Sequence, residues 1–335
     1  MNPALRIADF GLQIEKMHLP LFSPLSEIRN LKSGIRNRQA KRQPMGDLTD
    51  LHERANQLFA SLASCEICPR RCRVNRLEGE IGFCGVGAEA LFASSGPHFG
   101  EEDVLVGRGG SGTIFFAGCN LGCIFCQNYE ISHGRVGRPA APADVARVML
   151  RLEQRGCANI NFVTPTHVTP QVMKAILIAR EGGLTVPIVY NCGGYESLDT
   201  LRALDGFVEI YMPDAKYAEA GPARELSAAP DYPEVNRAAL REMHRQVGDL
   251  AIEGGLATRG LLVRHLVLPN GLAGSKAVLD FLATELSPRT YVNVMAQYRP
   301  CYRAGECPKV DRPITPQEFR EAHAYAAQLG LRLAR

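Results

Sequence analysis

The chain has 335 residues, 46% hydrophobic and 22% charged, which is ordinary globular usage and excludes wholesale disorder or a collagen-like fibre. Its 38 basic and 35 acidic residues leave a net charge of +3, too little to imply a nucleic-acid or anionic-membrane partner. Length alone allows two domains or one large α/β barrel.

Taken from the start, residues 1–45 carry eight Lys/Arg and three Asp/Glu, a net of +5, so the other 290 residues sum to −2. They lack a sustained period and end in a polar, basic run from Lys32 to Gln43. That composition predicts a basic, flexible extension, and Met45 offers an alternative chain start. Asp47 to Leu62 reads as a helix with Leu48, Leu51, Ala55, Leu58 and Leu62 on one face. With the Cys- and Gly-rich stretch 65–112 it forms a second unit, 46–112, expected to be a metal-binding module. From 113 to 335, β-rich runs alternate with helical patterns. The runs are Thr113–Phe116, Asn159–Thr164, Pro187–Tyr190, Phe207–Tyr211, Leu261–Leu268 and Tyr291–Met295. Helices are expected around Val145–Leu152, from Thr169–Pro170 with Thr169 as cap, from Glu234 to Gly248, from a Ser275 cap, and from Thr315 to Gly330. Strand–helix alternation implies parallel strands with helices outside. Six strands fall short of a closed eight-strand barrel, so the pattern predicts a partial (β/α)6 barrel with its chemistry at the C-terminal strand ends.

Eleven cysteines stand out. With no secretory start and no run of 18 apolar residues, the chain reads as cytoplasmic, with no membrane partner. In a reducing compartment, cysteine clusters bind metals or do redox chemistry. Cys119, Cys123 and Cys126 follow the first predicted strand as C-x3-C-x2-C. Four thiolates would saturate a 4Fe-4S cube; three leave one iron open to a small molecule. A zinc knuckle short of a ligand, or three buried structural thiols, is the plainer alternative. Cys65, Cys68, Cys72 and Cys84 offer four ligands, enough to close a site, and zinc and 4Fe-4S both fit. Arg70, Arg71, Arg73 and Arg76 are expected to offset its negative charge. Cys157 and Cys192 read as small buried apolar residues. Cys301 and Cys307 are open between a reversible disulfide, a local metal contact and bystander thiols.

The spacing C-x3-C-x-aromatic-C, standing here as Cys119, Cys123, Phe125 and Cys126, resembles the radical S-adenosylmethionine (SAM) enzymes. The string GCNLGCIFCQNYEIS is similar to pyruvate formate-lyase activating enzymes and their uncharacterised PflX-like relatives. CEICPRRCRVNR, VTPTHVTPQ, NCGGYE, PDAKY, PDYPEVNRAALREMHRQVGDL, VRHLVLP and YVNVMAQYRP extend the likeness from Cys65 to the C-terminus. The resemblance implies a radical SAM partial barrel that cleaves SAM reductively at a 4Fe-4S cluster. The 5′-deoxyadenosyl radical so formed would take a hydrogen from a protein or peptide, as glycyl-radical activating enzymes do. It implies a reductant such as flavodoxin or ferredoxin. Many relatives place Gly-Gly-Glu where this chain has Pro165-Thr166-His167, so Thr166 is the candidate for the SAM amine. Asn191 matches the ribose region. Lys216 and Arg264 fall on the SAM carboxylate side. Asp214, with Asn191, is the candidate for a small cation site, and Gln297 for adenine. His265 reads as structural. A radical SAM enzyme acting on a small metabolite, and a non-catalytic Fe–S or zinc protein on the same fold, are the competing expectations.

Overall fold

The computed structural model describes residues 48–334; the expected basic extension, Met45 and Asp47 lie outside the described residues. Helix α1, Leu48–Ala60, buries Leu51 and Ala55. Leu48, expected on the same face, is 49% exposed, because it stands a turn before the packed stretch. The cysteine-rich segment then leads into strand β1, Ala90–His98. Next come α2 (Asp103–Val106), β2 (Ser111–Phe116), α3 (Tyr129–Ser132), β3 (Arg138–Ala140), α4 (Pro142–Gln154), β4 (Ile160–Val163) and α5 (Thr169–Glu181). They are followed by β5 (Ile188–Cys192), α6 (Leu198–Ala203), β6 (Ile210–Pro213), α7 (Ala220–Ser227) and α8 (Tyr232–Val247). The chain ends with β7 (Ala251–Glu253), β8 (Leu256–Leu266), α9 (Ser275–Phe281), β9 (Tyr291–Met295), α10 (Pro316–Gln328) and β10 (Arg332–Leu333).

The strands form one sheet in the order β10-β9-β8-β6-β5-β4-β2-β1-β3, with β7 paired to β8. The run from β2 to β10 is parallel; β1, β3 and β7 pair antiparallel. This is an α/β fold on a mostly parallel sheet, and the six expected strands are β2, β4, β5, β6, β8 and β9. Ser275 is the first residue of α9 and not its cap, which is Gly274 in the left-handed region. Three further boundaries differ for local reasons. Phe207 closes the turn after α6, its N–H on Leu204 O, so β6 starts later. β8 starts earlier because Leu256–Arg259 pairs with β7. Thr169 lies inside α5 and not at its cap: Val168 is the cap, and the Thr169 hydroxyl bonds the Pro165 and Thr166 carbonyls and Tyr190.

Both faces of the central strands are covered. Alternate residues Tyr190, Tyr211, Leu261, Val263 and Val292 face the helices in the large core. Val189, Ile210, Met212, Leu262 and Tyr291 face the other way and pack with Leu105 of α2. Burying each such side chain contributes about 1.5–3 kcal/mol. Further along those same faces the side chains turn polar: Asn191, Asp214, Arg264 and Asn293. Among the described residues, no helix is long and apolar enough to cross a membrane.

Candidate functional site

The loop after β2 starts with a backbone constraint. Ala117 N–H donates to Leu91 O and Gly118 N–H to Ile131 O. Gly118 has φ +85°, and a Cβ there would sit 2.6 Å from Val86 Cγ2 and 2.7 Å from Cys84 O, so both conformation and space demand glycine. The following turns, pinned by Gly122 N–H on Ser227 O and Ile124 N–H on Leu226 O, gather Cys119, Cys123 and Cys126. Burial pushes the Cys119 and Cys123 thiols up, their neighbouring thiols push them further, and Lys216 pulls both back. Each sulfur already meets a polar partner. Leu121 N–H reaches Cys119 Sγ at 3.4 Å, Ser227 Oγ donates to Cys123 Sγ at 2.9 Å, and Cys126 Sγ lies 3.1 Å from Ser132 Oγ. Phe125 is buried edge-on against Tyr298 at 5.7 Å.

Beside this loop lies the polar layer of the sheet. Arg264 donates from Nη2 to Asn191 Oδ1 (2.7 Å) and from Nε to Asp214 Oδ1 (3.0 Å), while Lys216 Nζ holds Asp214 Oδ2 at 2.6 Å. Burial alone would raise the Asp214 carboxyl, but Arg264 and Lys216 more than offset it and hold it below the ordinary range. Burial likewise opposes the Lys216 charge, and Asp214 with Cys123 more than restores it. Four of the residues expected together, Asn191, Asp214, Lys216 and Arg264, therefore form one hydrogen-bonded group next to the cysteines.

Sequence reasoning missed the acidic pair that joins this layer. Glu101 is pushed up to about 7 by burial against the pull of Arg264, with the neighbouring Glu102 adding to the rise. Glu102 accepts from Asn293 Nδ2 at 2.9 Å, and its Oε2 is buried without a partner. Also missed were Tyr232 and Asn236 of α8, which bond the Gly193, Gly194 and Asp214 carbonyls and so set the loops after β5 and β6. Their stretch, PDYPEVNR, was visible as a likeness without a role.

The other expected contacts lie apart from that group. Thr166 is fully buried and its hydroxyl donates to Glu196 Oε1 at 2.6 Å. Glu196 also receives Tyr190 Oη at 3.3 Å, and it was not among the expected residues. Gln297 turns its side chain to solvent, and its backbone carbonyl accepts from Gln127 Nε2. His265 is buried between Ala215 O and Ser275 Oγ. Cys157 and Cys192 are buried, and all eleven cysteines are free thiols. The Cys301–Cys307 turn packs on the cysteine loop through Arg303 N–H on Ile124 O.

Glu196 carries a pH prediction. Burial pushes its carboxyl from 4.5 up to about 7 despite bonds from Thr166, Cys192 and Tyr190. A raised folded value means that its contribution is fully present below about 4.5 and is lost as pH rises through about 7. At about 1.4 kcal/mol per unit, the loss is on the order of 3 kcal/mol. Urea unfolding at pH 5, 7 and 9 should show wild type losing stability relative to Glu196→Gln; parallel curves would count against it.

Cys65, Cys68, Cys72 and Cys84 line one cavity, together with Arg70, Arg76 and His167. Only two of the four expected arginines are there. Arg73 instead pairs with Glu66 at the surface, and Arg71 does not reach the cavity. Arg70 spans to the first loop, donating to Asn120 O at 2.8 Å. Among the described residues, no three of the His, Cys, Asp and Glu side chains converge closely enough to hold a single metal ion. Cluster ligands bind separate irons and need not converge on one point, so all-sulfur sets spaced around a shared space fit a cluster.

No family model matches the chain. It is 26% identical over 295 residues to Uncharacterized protein MJ0808 of Methanocaldococcus jannaschii, covering 80% of this chain and 79% of that one. Against Uncharacterized protein MJ0674 of the same archaeon it is 32% identical over 296 residues, 86% of this chain and 80% of that protein. At that identity and coverage, the chain belongs to the family of Uncharacterized protein MJ0674.

Proposed function

We propose that this protein is a radical SAM enzyme, similar to pyruvate formate-lyase activating enzymes, acting on a protein or peptide substrate. On this reading β2, β4, β5, β6, β8 and β9 with their helices are the staves of a partial (β/α)6 barrel. The observation that carries it is the Lys216 ammonium, bonded to Asp214 in the Asn191–Asp214–Lys216–Arg264 group and acting electrostatically on Cys119 and Cys123 of the loop that also carries Cys126. The three thiols would hold a 4Fe-4S cluster and the charged layer would hold SAM; when bound, the pair supplies a one-electron reductive cleavage of the sulfonium.

What the chain itself contributes follows from the side chains. The N–H and O–H donors on the thiols lower their electron density. Lys216 and Arg264 present two cations that a carboxylate can share with Asp214. Phe125 and Tyr298 exclude water on one side of the loop. Thr166, buried beside Glu196, offers a polar wall at the end of β4.

The direct test is anaerobic reconstitution with iron and sulfide, followed by SAM and a low-potential reductant such as reduced flavodoxin. Formation of 5′-deoxyadenosine is expected; SAM left intact by iron-loaded protein would favour a non-catalytic iron–sulfur role. Lys216→Ala gives a narrower test. A charge-assisted bond contributes ~1.5–3 kcal/mol, so its loss should weaken SAM binding roughly ten- to a hundred-fold at unchanged iron content. An unaltered dissociation constant would remove Lys216 from the site.

A further inference from the structure

We propose that Cys65, Cys68, Cys72 and Cys84 hold a second, closed thiolate-bound metal centre, an iron–sulfur cluster, in the cavity they line with Arg76 and His167. The inference goes beyond the SAM site and does not rest on it.

The strongest argument is an unbalanced charge. Arg76 is 1% exposed. Its guanidinium donates to Gly87 O twice, to His167 O at 2.9 Å, and from Nη1 to Cys65 Sγ at 3.7 Å. Among the described residues, no carboxylate forms an ion pair with it. A buried cation needs a counter-charge. Among the described residues, the acidic groups lining its cavity are thiols, and a metal is what turns buried thiols into thiolates.

A second, independent sign is His167. It is 1% exposed, and its Nε2–H donates to Ala117 O at 2.8 Å, which leaves Nδ1 as the lone-pair nitrogen. That Nδ1 is buried without a partner, in a residue lining the four-thiol cavity. An orphaned buried ring nitrogen is costly, and a proton on it donated to a cluster sulfur would satisfy it. Phe83 N–H already points at Cys72 Sγ at 3.4 Å, as amides do toward thiolates. All four donors being protein sulfurs, no position remains for a substrate. The centre would abut the first cysteine loop, where Cys84 O lies against Gly118 and Arg70 holds Asn120 O.

The test uses full-length protein with Cys119, Cys123 and Cys126 all changed to alanine, purified anaerobically, so that any bound metal belongs to the second set. Iron with matching acid-labile sulfide is expected, and both should vanish when Cys68→Ser and Cys72→Ser are added. Zinc without sulfide, or no iron above the level of that five-fold variant with native circular dichroism, overturns the proposal. If the triple variant does not fold, Cys68→Ser/Cys72→Ser in the wild-type background takes its place. Metal per chain should then fall by one centre while the first loop keeps its iron, and an unchanged total overturns the proposal. His167→Ala should retain the iron and change the EPR spectrum of the reduced cluster. An identical spectrum removes the imidazole from the centre. Because the metal is counted without SAM, failure here leaves the 5′-deoxyadenosine result standing, and the reverse.

Discussion

Replacing any one of Cys119, Cys123 or Cys126 by alanine is expected to reduce 5′-deoxyadenosine formation below detection. Only three thiols gather on this loop, and the reading assigns one to each of three irons, leaving no fourth thiol on the loop to take over. The change should not act by unfolding. Gly118, Gly122 and Ile124 fix the loop through backbone bonds that an alanine leaves in place. Losing one sulfur costs packing of order 1 kcal/mol, well under the total stability of a domain. Two measurements separate chemistry from folding: 5′-deoxyadenosine by chromatography and unfolding by urea. Cys157→Ala, also buried but before the start of β4, is the control and should keep its yield. Wild-type product from any of the three loop variants would sink the proposed function.

The strands that carry the site were legible because their two faces obey different rules. Tyr190 and Val263 lie against helices, while Asn191 and Arg264 interrupt the opposite face with polar groups; alternation places them there, and the family resemblance is what singled them out. The cysteine spacing and the Asp214-Ala-Lys216 turn are local, so sequence order alone brings those residues close. What was missed is assembled across distance. Glu196 follows two glycines where periodicity stops, and its partner Thr166 lies 30 residues earlier. Glu102 meets Asn293 across 191 residues, from a segment with no helical or strand period. β1 was hidden for a chemical reason: Ser94-Ser95-Gly96-Pro97 reads as a turn, yet an antiparallel position outside the parallel run tolerates it. Arg73 was misplaced because a run of arginines does not reveal which one a nearby Glu66 draws to the surface.

Asp214→Ala should be the most destabilising single change in the charged layer. The carboxylate is 9% exposed and stands between the Arg264 guanidinium and the Lys216 ammonium. Removing it leaves two cations facing each other in a poorly solvated place, and breaking a buried pair in this way costs about 3–5 kcal/mol. Asp214→Asn, which keeps the shape and one acceptor, should cost less. The pH dependence has a definite sign. The folded Asp214 carboxyl is held below its unfolded value of 3.8, so its contribution is present above that pH and is lost as pH falls through the folded value. The stability gap between wild type and Asp214→Asn should therefore be constant near neutrality and close on acidification. Urea unfolding of the three proteins from pH 7 down to pH 3 measures this. A gap that persists in acid would mean that shape, and not the negative charge between Arg264 and Lys216, is what Asp214 supplies.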